Sequence, residues 1–215
     1  MNVKLIPKYE ISDTDDFIVF KIILVGNSGV GKYEILERAC FQGFDQSYQA
    51  TIGFEFLLMH FLVNDIKIKL QIWDTIGQEM YKSLIQGFYR NTSLALLIYD
   101  ISDRRSFDYL DIQLKDIRAY KKELPIFIIG NRCDLERQIS FDEGKDFSLA
   151  NGAKYFMECS SKTGYNVENI FSEAAKYLYS VVKNNTETKY KSLNEKINIK
   201  NNIKFKCNLS KYQNF

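Results

Sequence analysis

The sequence predicts a three-layer α/β domain in which about five helices cover a six-stranded, mostly parallel sheet with one antiparallel edge strand. Apolar runs of strand length alternate along the chain with stretches of helical period. Most of these runs are continuously apolar, as expected for strands that are buried on both faces. Two further runs flank Asn64-Asp65 at hairpin spacing, which predicts the antiparallel strand.

The elements follow in a regular order. The first strand is FIVFKIILVG (17–26), which leads into a glycine-rich loop and a helix that ends near Phe41. The hairpin strands are Phe54–Val63 and Ile66–Trp73, and in the second of them Ile and Leu alternate with Lys and Gln, as in a strand with one wetter face. The remaining predicted elements are strands over 94–101, 125–132 and 153–160 and a last helix over 166–182.

The length and charge distribution indicate one domain with two appendages. We expect an N-terminal extension over 1–16, the domain over 17–183 and a flexible tail over 184–215. From Lys183 onward there are eight lysines against two glutamates, so the tail is basic and the rest of the chain, given an overall charge of +2, is mildly acidic.

Composition excludes several classes of protein. No apolar stretch approaches the roughly 18 residues of a membrane-spanning helix, and the first residues do not have the pattern of a secretory signal. The four cysteines lie far apart without metal-ligand spacing, so we expect free thiols in a reducing compartment. An aromatic and basic platform for nucleic acid is not apparent, and we expect no nucleic-acid partner.

The loop GNSGVGK (26–32) has the spacing of a phosphate-binding loop, with Gly26, Gly31 and Lys32 in the required places. It leaves a buried strand and opens a helix, where backbone N–H groups and the helix dipole converge on phosphate oxygens. Position 33, however, is tyrosine, whereas this pattern ordinarily has a Ser or Thr whose hydroxyl binds Mg²⁺. The sequence predicts phosphate binding here, with an altered metal site.

Asp74-Thr75-Ile76-Gly77 follows a predicted strand. A carboxylate at a strand end can hold Mg²⁺ through its water shell, and the N–H of Gly77 can approach a terminal phosphate without side-chain obstruction. Gln78 could orient an attacking water. Each residue alone is a weak indication, since Asp and Gly are common turn formers.

Two loops after the last strands have the residues needed for a purine base. The carboxylate of Asp134, in NRCD (131–134), can accept from both N1–H and the 2-amino group of guanine, which would select GTP over ATP. The loop ECSSK (158–162) can offer backbone N–H groups to the guanine oxygen. All these segments fall at the carboxyl ends of successive strands, where open α/β sheets bind ligands.

These motifs together resemble the Ras superfamily of small GTPases and, within it, the Rab family of membrane-traffic switches, over about 17–183. The most similar segments are TIGFEF (51–56), KLQIWDTIGQE (69–79), FYRNTSLALLIYDIS (88–102), GNRCDL (130–135) and ECSSKTGYNVENIF (158–171). The resemblance implies the P-loop NTPase G-domain fold, GTP and GDP as ligands, and Mg²⁺ as the metal.

The resemblance also assigns roles to individual residues. Lys32 would neutralise phosphate charge, Gln78 would place the water, and Thr51 and Asp74 would hold Mg²⁺. The nucleotide-binding set that it implies is Ser28, Gly29, Val30, Gly31, Lys32, Tyr33, Phe44, Thr51, Gly77, Asn131, Arg132, Asp134, Ser160, Ser161 and Lys162.

The resemblance further implies how the protein meets its partners. Two switch segments, about 42–54 and 76–88, would be ordered by the γ-phosphate and read by effector and regulatory proteins, with Trp73 either part of that surface or in the core. We expect a monomeric, cytoplasmic protein. Its basic tail either contacts anionic endomembranes from the cytosolic side or is simply solvated.

Four departures from the family pattern qualify these expectations. Tyr33 replaces the metal-binding hydroxyl, which predicts weakened Mg²⁺ binding, and Ile76 replaces an alanine where a β-branched side chain stiffens the backbone. Arg132 replaces a lysine, and its flat guanidinium can lie over guanine. The chain ends CNLSKYQNF, which has no prenylation signal, although Cys207 remains a candidate for acylation.

Two functions from different classes therefore remain open. One is a GTP/GDP switch in vesicle-mediated protein transport that hydrolyses GTP slowly. The other is a catalytically inactive pseudo-GTPase that serves as a binding adaptor. The intact Gln78, Thr51, Asn131 and Asp134 favour the switch. Tyr33 and Ile76 favour the adaptor.

Overall fold

A computed structural model describes residues 1–12, 14–41, 49–51, 54–74 and 89–184. The chain divides into a compact unit, Met1–Leu178, and a second unit, Tyr179–Phe215. The sheet and the candidate site described below lie in the first unit. The predicted tail from residue 184 lies almost entirely outside the described residues.

A single eight-stranded sheet forms the centre of the described structure, in the order β1-β4-β5-β2-β6-β7-β8, with β3 paired to β4. The strands are β1 (Val3–Leu5), β2 (Ile18–Val25), β3 (Gln49–Thr51), β4 (Phe54–Val63), β5 (Ile66–Asp74), β6 (Thr92–Asp100), β7 (Ile126–Asn131) and β8 (Tyr155–Glu158). The five strands from β5 to β8 in this order pair in parallel, whereas β4 pairs antiparallel with β5. The predicted α/β class is confirmed, and β1 and β3 are two short strands beyond the six that were predicted.

The described helices lie between the strands. They are α1 (Lys32–Phe41), α2 (Arg104–Asp108), α3 (Leu110–Tyr120), α4 (Phe141–Ala150) and α5, over 167–184. Side chains cap two of them: the Asp103 carboxylate accepts from the Arg105 N–H, and the Ser140 hydroxyl accepts from the Glu143 N–H. Such caps satisfy backbone donors that a helix start leaves without partners. No helix of the described segments is long and apolar enough to cross a membrane.

The β4–β5 hairpin confirms the prediction made from Asn64-Asp65. Val63 faces Ile66 across the turn, and Asn64 and Asp65 have φ angles of 44° and 67°. Two consecutive left-handed residues are the geometry of the two-residue turn that matches strand twist.

The centre of the sheet is apolar because helices cover both of its faces. All six residues of β7 are buried, and the core on one face includes Tyr99, Phe107, Leu114 and Ile117. This burial explains the continuous apolar runs seen in the sequence.

The N-terminal extension is folded onto the domain. Its strand β1 pairs antiparallel with β4, and the Ile6 N–H donates to the His60 carbonyl at 2.8 Å. Farther along, Asp15 accepts from the Lys67 ammonium at 2.6 Å, and Phe17 packs edge-on against His60. The extension therefore closes part of the outer edge of the sheet, which would otherwise be open to pairing.

Deleting residues 1–7 should lower the free energy of unfolding by roughly 2 kcal/mol, because the β1–β4 hydrogen bonds and half-buried apolar side chains are lost. Urea unfolding of the full chain and the truncated chain measures this difference. Tyr9→Ala is the control: this side chain lies in the same segment but is 86% exposed. An unchanged midpoint after the deletion would mean that β1 contributes nothing to stability.

Candidate functional site

The loop over 26–31 connects β2 to α1 and has the conformation that its glycines allow. A Cβ on Gly26 would lie 2.4 Å from the Ile98 carbonyl oxygen, and Gly29 and Gly31 have φ angles of +82° and +91°. Other residues adopt such angles only with strain. The Lys32 ammonium folds back over the loop and donates to the carbonyls of Gly26 and Asn27 at 2.8 and 2.9 Å. The result is a tight loop that ends at a helix N-terminus beside a buried cation, as phosphate binding requires.

Asn131, the last residue of β7, connects this loop to the other two predicted loops. Its amide Nδ2 donates to the Val30 carbonyl at 3.0 Å and to the Ser161 hydroxyl at 3.3 Å, and its Oδ1 accepts from the Ser161 N–H at 3.1 Å. The side chain is fully buried. Sequence analysis placed Asn131 among nucleotide contacts, and in the structure it fastens the surrounding loops to one another.

Asp134 is held by a chain of two hydrogen bonds. The buried Ser160 hydroxyl donates to Asp134 Oδ1 at 2.6 Å and accepts from the Thr163 N–H at 3.0 Å. The carboxylate is thereby oriented while the residue stays exposed. An oriented, exposed carboxylate can accept two donors from one ligand edge.

The two predicted base-binding loops and helix α1 line one cleft of about 460 Å³. Its lining includes three acidic and three basic side chains, so the cleft has no large excess of either charge. The lining residues are Glu34, Glu37, Arg38, Arg132, Asp134, Leu135, Ser161 and Lys162. The structure thus brings Arg132, Asp134, Ser161 and Lys162 together as predicted.

Arg132 makes contacts that sequence reasoning did not find. Its backbone is left-handed, with φ of 65°, and its guanidinium donates to the buried Asp100 carboxylate at 2.6 Å. A second guanidinium nitrogen lies 3.7 Å from Glu34 Oε1. The predicted stacking of Arg132 on a base remains a prediction, but its guanidinium is anchored on one side.

Helix α1 contributes three cleft residues that were not predicted: Glu34, Glu37 and Arg38. Arg38 donates to the Thr163 carbonyl at 2.8 Å and so ties α1 to the loop after β8. The position of Glu34 directly after the phosphate loop was a sequence signal for its place in the site. The Arg38 contact joins residues 125 positions apart and has no such local signal.

The residues predicted to surround Mg²⁺ fit that ion only in part. Asp74 is buried at the end of β5, and its register partner Leu24 lies just before the phosphate loop, so a carboxylate is in place. Tyr33 is 43% exposed, and a phenol is too long to present its oxygen where a serine hydroxyl would. The residues described by the structure contain no cluster of three or more His, Cys, Asp or Glu side chains suited to a metal. Thr51 ends β3, and Phe44, Gly77 and Gln78 lie outside the described residues.

The two cysteines beside the cleft are not suited to thiolate chemistry. Cys133 and Cys159 are free, and burial raises the pKa of both thiols. Both thiols are therefore protonated near neutral pH, in keeping with a structural role.

Comparisons with known proteins agree with this geometry. Residues 21–180 match the Ras family. The chain is also similar to the Ras-related protein Rab11A of Lotus japonicus, with 36% identity over 167 residues that cover 76% of this chain and 74% of that protein. The family match includes the phosphate loop, Asp74, Asn131 and the loop after β8.

Asn131→Ala should lower the free energy of unfolding by roughly 2 to 4 kcal/mol, because it removes a buried amide and leaves the Val30 carbonyl and the Ser161 N–H without their partner. Chemical denaturation measures the loss. Asn169→Ala, at an exposed position on α5, is the matched control and should change stability by less than about 0.5 kcal/mol. Equal stabilities of the two variants would show that the buried amide does not fasten the loops.

Proposed function

The chain belongs to the Ras family of small GTPases, a family of GTP-binding switches, and we propose that it is a Rab-like switch of intracellular protein transport that hydrolyses GTP slowly. The main support is the Asn131 amide, which joins the phosphate loop to the predicted base-binding loops that line the cleft. A ligand with phosphates at one end and a purine at the other matches that arrangement.

Selection of guanine would rest on Asp134. Its carboxylate is exposed at the cleft and oriented by Ser160, so it can accept the N1–H and 2-amino donors that adenine lacks. The N–H groups of Ser161 and Lys162 would meet the guanine oxygen, and Phe44 would pack against the base. The phosphates would be held by the backbone N–H groups of 28–33 and by the Lys32 ammonium.

Hydrolysis would be slow because the metal site is incomplete. Bound Mg²⁺ neutralises phosphate charge as it develops on the leaving group. Thr51 and Asp74 would be its protein ligands here, because the phenol oxygen of Tyr33 lies too far from the backbone to replace a serine hydroxyl. Gln78 would orient the attacking water, and Lys32 would supply positive charge.

A second candidate is a pseudo-GTPase adaptor that does not distinguish GTP from GDP. The observation in its favour is the exposed phenol of Tyr33 at the start of α1, where a metal-binding hydroxyl is expected. On this view the base-binding loops hold GDP or form a fixed surface. The two candidates differ in whether the γ-phosphate changes binding.

The partners we propose are effector and regulatory proteins that contact the two switch segments, and we propose a monomer. Trp73 is half-buried against the core, and the Lys21 ammonium lies 4.7 Å from the centre of its ring, so it can serve both core and surface. The basic tail would attach the protein peripherally to the cytosolic face of endomembranes by attraction to anionic lipids.

The first experiment measures affinities of nucleotide-stripped protein for GDP and a non-hydrolysable GTP analogue, each with millimolar Mg²⁺ and with chelator. We expect Mg²⁺ to tighten the GTP analogue modestly in the wild type and by at least about tenfold more in Tyr33→Ser, because serine restores a metal ligand. Tyr33→Phe is the control and should behave as the wild type.

If neither Mg²⁺ nor the γ-phosphate changes nucleotide binding by the wild-type protein, the adaptor function is favoured. A Tyr33→Ser variant that also gained no response to Mg²⁺ would contradict our assignment of the metal deficit to this position.

Asp134→Ala should abolish the preference for GDP over ADP and weaken GDP binding by roughly tenfold to a hundredfold, the cost of losing charge-assisted hydrogen bonds. Competition of each nucleotide against a fluorescent GDP analogue measures both effects. Glu136→Ala removes one negative charge two residues away at an exposed position and should leave the preference intact. A variant that still prefers GDP would place guanine recognition elsewhere.

A further inference from the structure

Glu34 lines the cleft close to the phosphate loop. One residue separates it from Lys32 in the first turn of α1, and it lines the same cleft as Asp134 and Ser161. One of its carboxylate oxygens, Oε2, is 3.5 Å from the point where a Cβ on Gly31 would stand. A nucleotide that reaches from the phosphate loop to Asp134 must therefore pass close to this carboxylate.

The charge of Glu34 is only partly compensated. The Arg132 nitrogen nearest to it is 3.7 Å away, which is too long for a hydrogen bond, and the Glu34 side chain is 51% exposed. The same guanidinium is bound at 2.6 Å to Asp100, whose side chain is only 6% exposed. Asp100 is thus the anchor of Arg132, and Glu34 is a looser second partner.

Because Asp100 holds Arg132 more firmly than Glu34 does, the direction in which loss of the Glu34 charge changes nucleotide affinity can be derived. Removing the Glu34 charge leaves Arg132 fixed by Asp100, so the positioning of Arg132 changes little. It also removes a negative charge beside the path of an anionic ligand, which lowers the electrostatic repulsion of the phosphates.

From these contacts we propose that Glu34 is a specificity-determining residue that weakens the binding of nucleotide phosphates and so speeds GDP release. The proposal rests on the nucleotide-binding function proposed above. It concerns the phosphate-bearing part of the ligand, so guanosine, which has no phosphate, should be unaffected.

The test compares GDP and guanosine binding to wild-type protein and to Glu34→Gln, together with the rate at which a fluorescent GDP analogue is released. Glu34→Gln should bind GDP roughly three- to tenfold more tightly at low ionic strength, mainly through slower release. The gain should shrink at about 0.5 M salt, because salt screens partly exposed charges. Guanosine affinity should not change.

Two variants separate this proposal from a general charge effect. Glu37→Gln removes the same charge from the same helix and the same cleft without a partner in Arg132, and it should alter GDP release less than Glu34→Gln does. Glu34→Asp keeps the charge and should retain fast release. Thermal unfolding of all three variants verifies that each is folded.

The results distinguish failure of the proposed role of Glu34 from failure of the proposed nucleotide binding. If wild-type protein binds GDP and Glu34→Gln leaves that affinity unchanged, the proposed role of Glu34 is overturned and the nucleotide-binding proposal stands. The proposed role is also overturned if Glu37→Gln tightens GDP binding as much as Glu34→Gln does, or if the gain in affinity does not depend on salt. Failure of wild type and every variant to bind GDP would overturn the nucleotide-binding proposal itself, and this inference with it.

Discussion

The buried amide of Asn131 is the interaction on which the arrangement of the site depends. It ends β7, a buried strand next to the edge strand β8, and it donates into the phosphate loop while it accepts from the loop after β8. Gly31 must be glycine for the same reason, since a Cβ there would lie 2.2 Å from the Asn131 amide nitrogen. A buried amide with every group satisfied admits few alternative geometries. Loops distant in sequence are thereby held in one relative position, and the cleft between them is preformed.

A second, charged arrangement supports the base-binding side. The buried Asp100 carboxylate accepts from the Ser102 N–H and hydroxyl at 2.8 and 2.6 Å and from Arg132 at 2.6 Å. A buried carboxylate is tolerated only when it is compensated in this way. The anchor explains how Arg132 can sit in a left-handed conformation at the mouth of the cleft. Arginine suits this place because one face of its fork can bind the carboxylate while the rest of the guanidinium remains available.

The sequence reveals local structure better than it reveals which distant segments pair with each other. The β4–β5 hairpin was predictable because Asn64-Asp65 specifies its turn and alternation specifies its faces. Strand β1 was not, because three residues with no strong pattern become a strand only by pairing with β4 some sixty residues away. In the site, motif spacing singled out the loops over 131–134 and 158–162, whose residues line one cleft in the structure. It did not show that Arg132 would pair with Asp100, since this contact depends on how the folded strands bring side chains together.

Two departures from the family pattern, Tyr33 and Ile76, fall on the predicted phosphate and metal side of the site, whereas Arg132 falls on the predicted base side. Tyr33 lies beside Glu34 in the first turn of α1, and Ile76 follows Asp74 closely in the chain. The hydrogen bonds that orient Asp134, by contrast, are complete. On the proposed function, recognition of the base would rest on Asp134, away from Tyr33 and Ile76, and binding of the phosphates is the part that would weaken. We therefore propose a domain that keeps its choice of guanine while its hold on the phosphates, and hence its readout of the γ-phosphate, is loosened. Nucleotide exchange in such a protein should depend less on an external factor than in a relative with a complete metal site and no acidic residue at the position of Glu34.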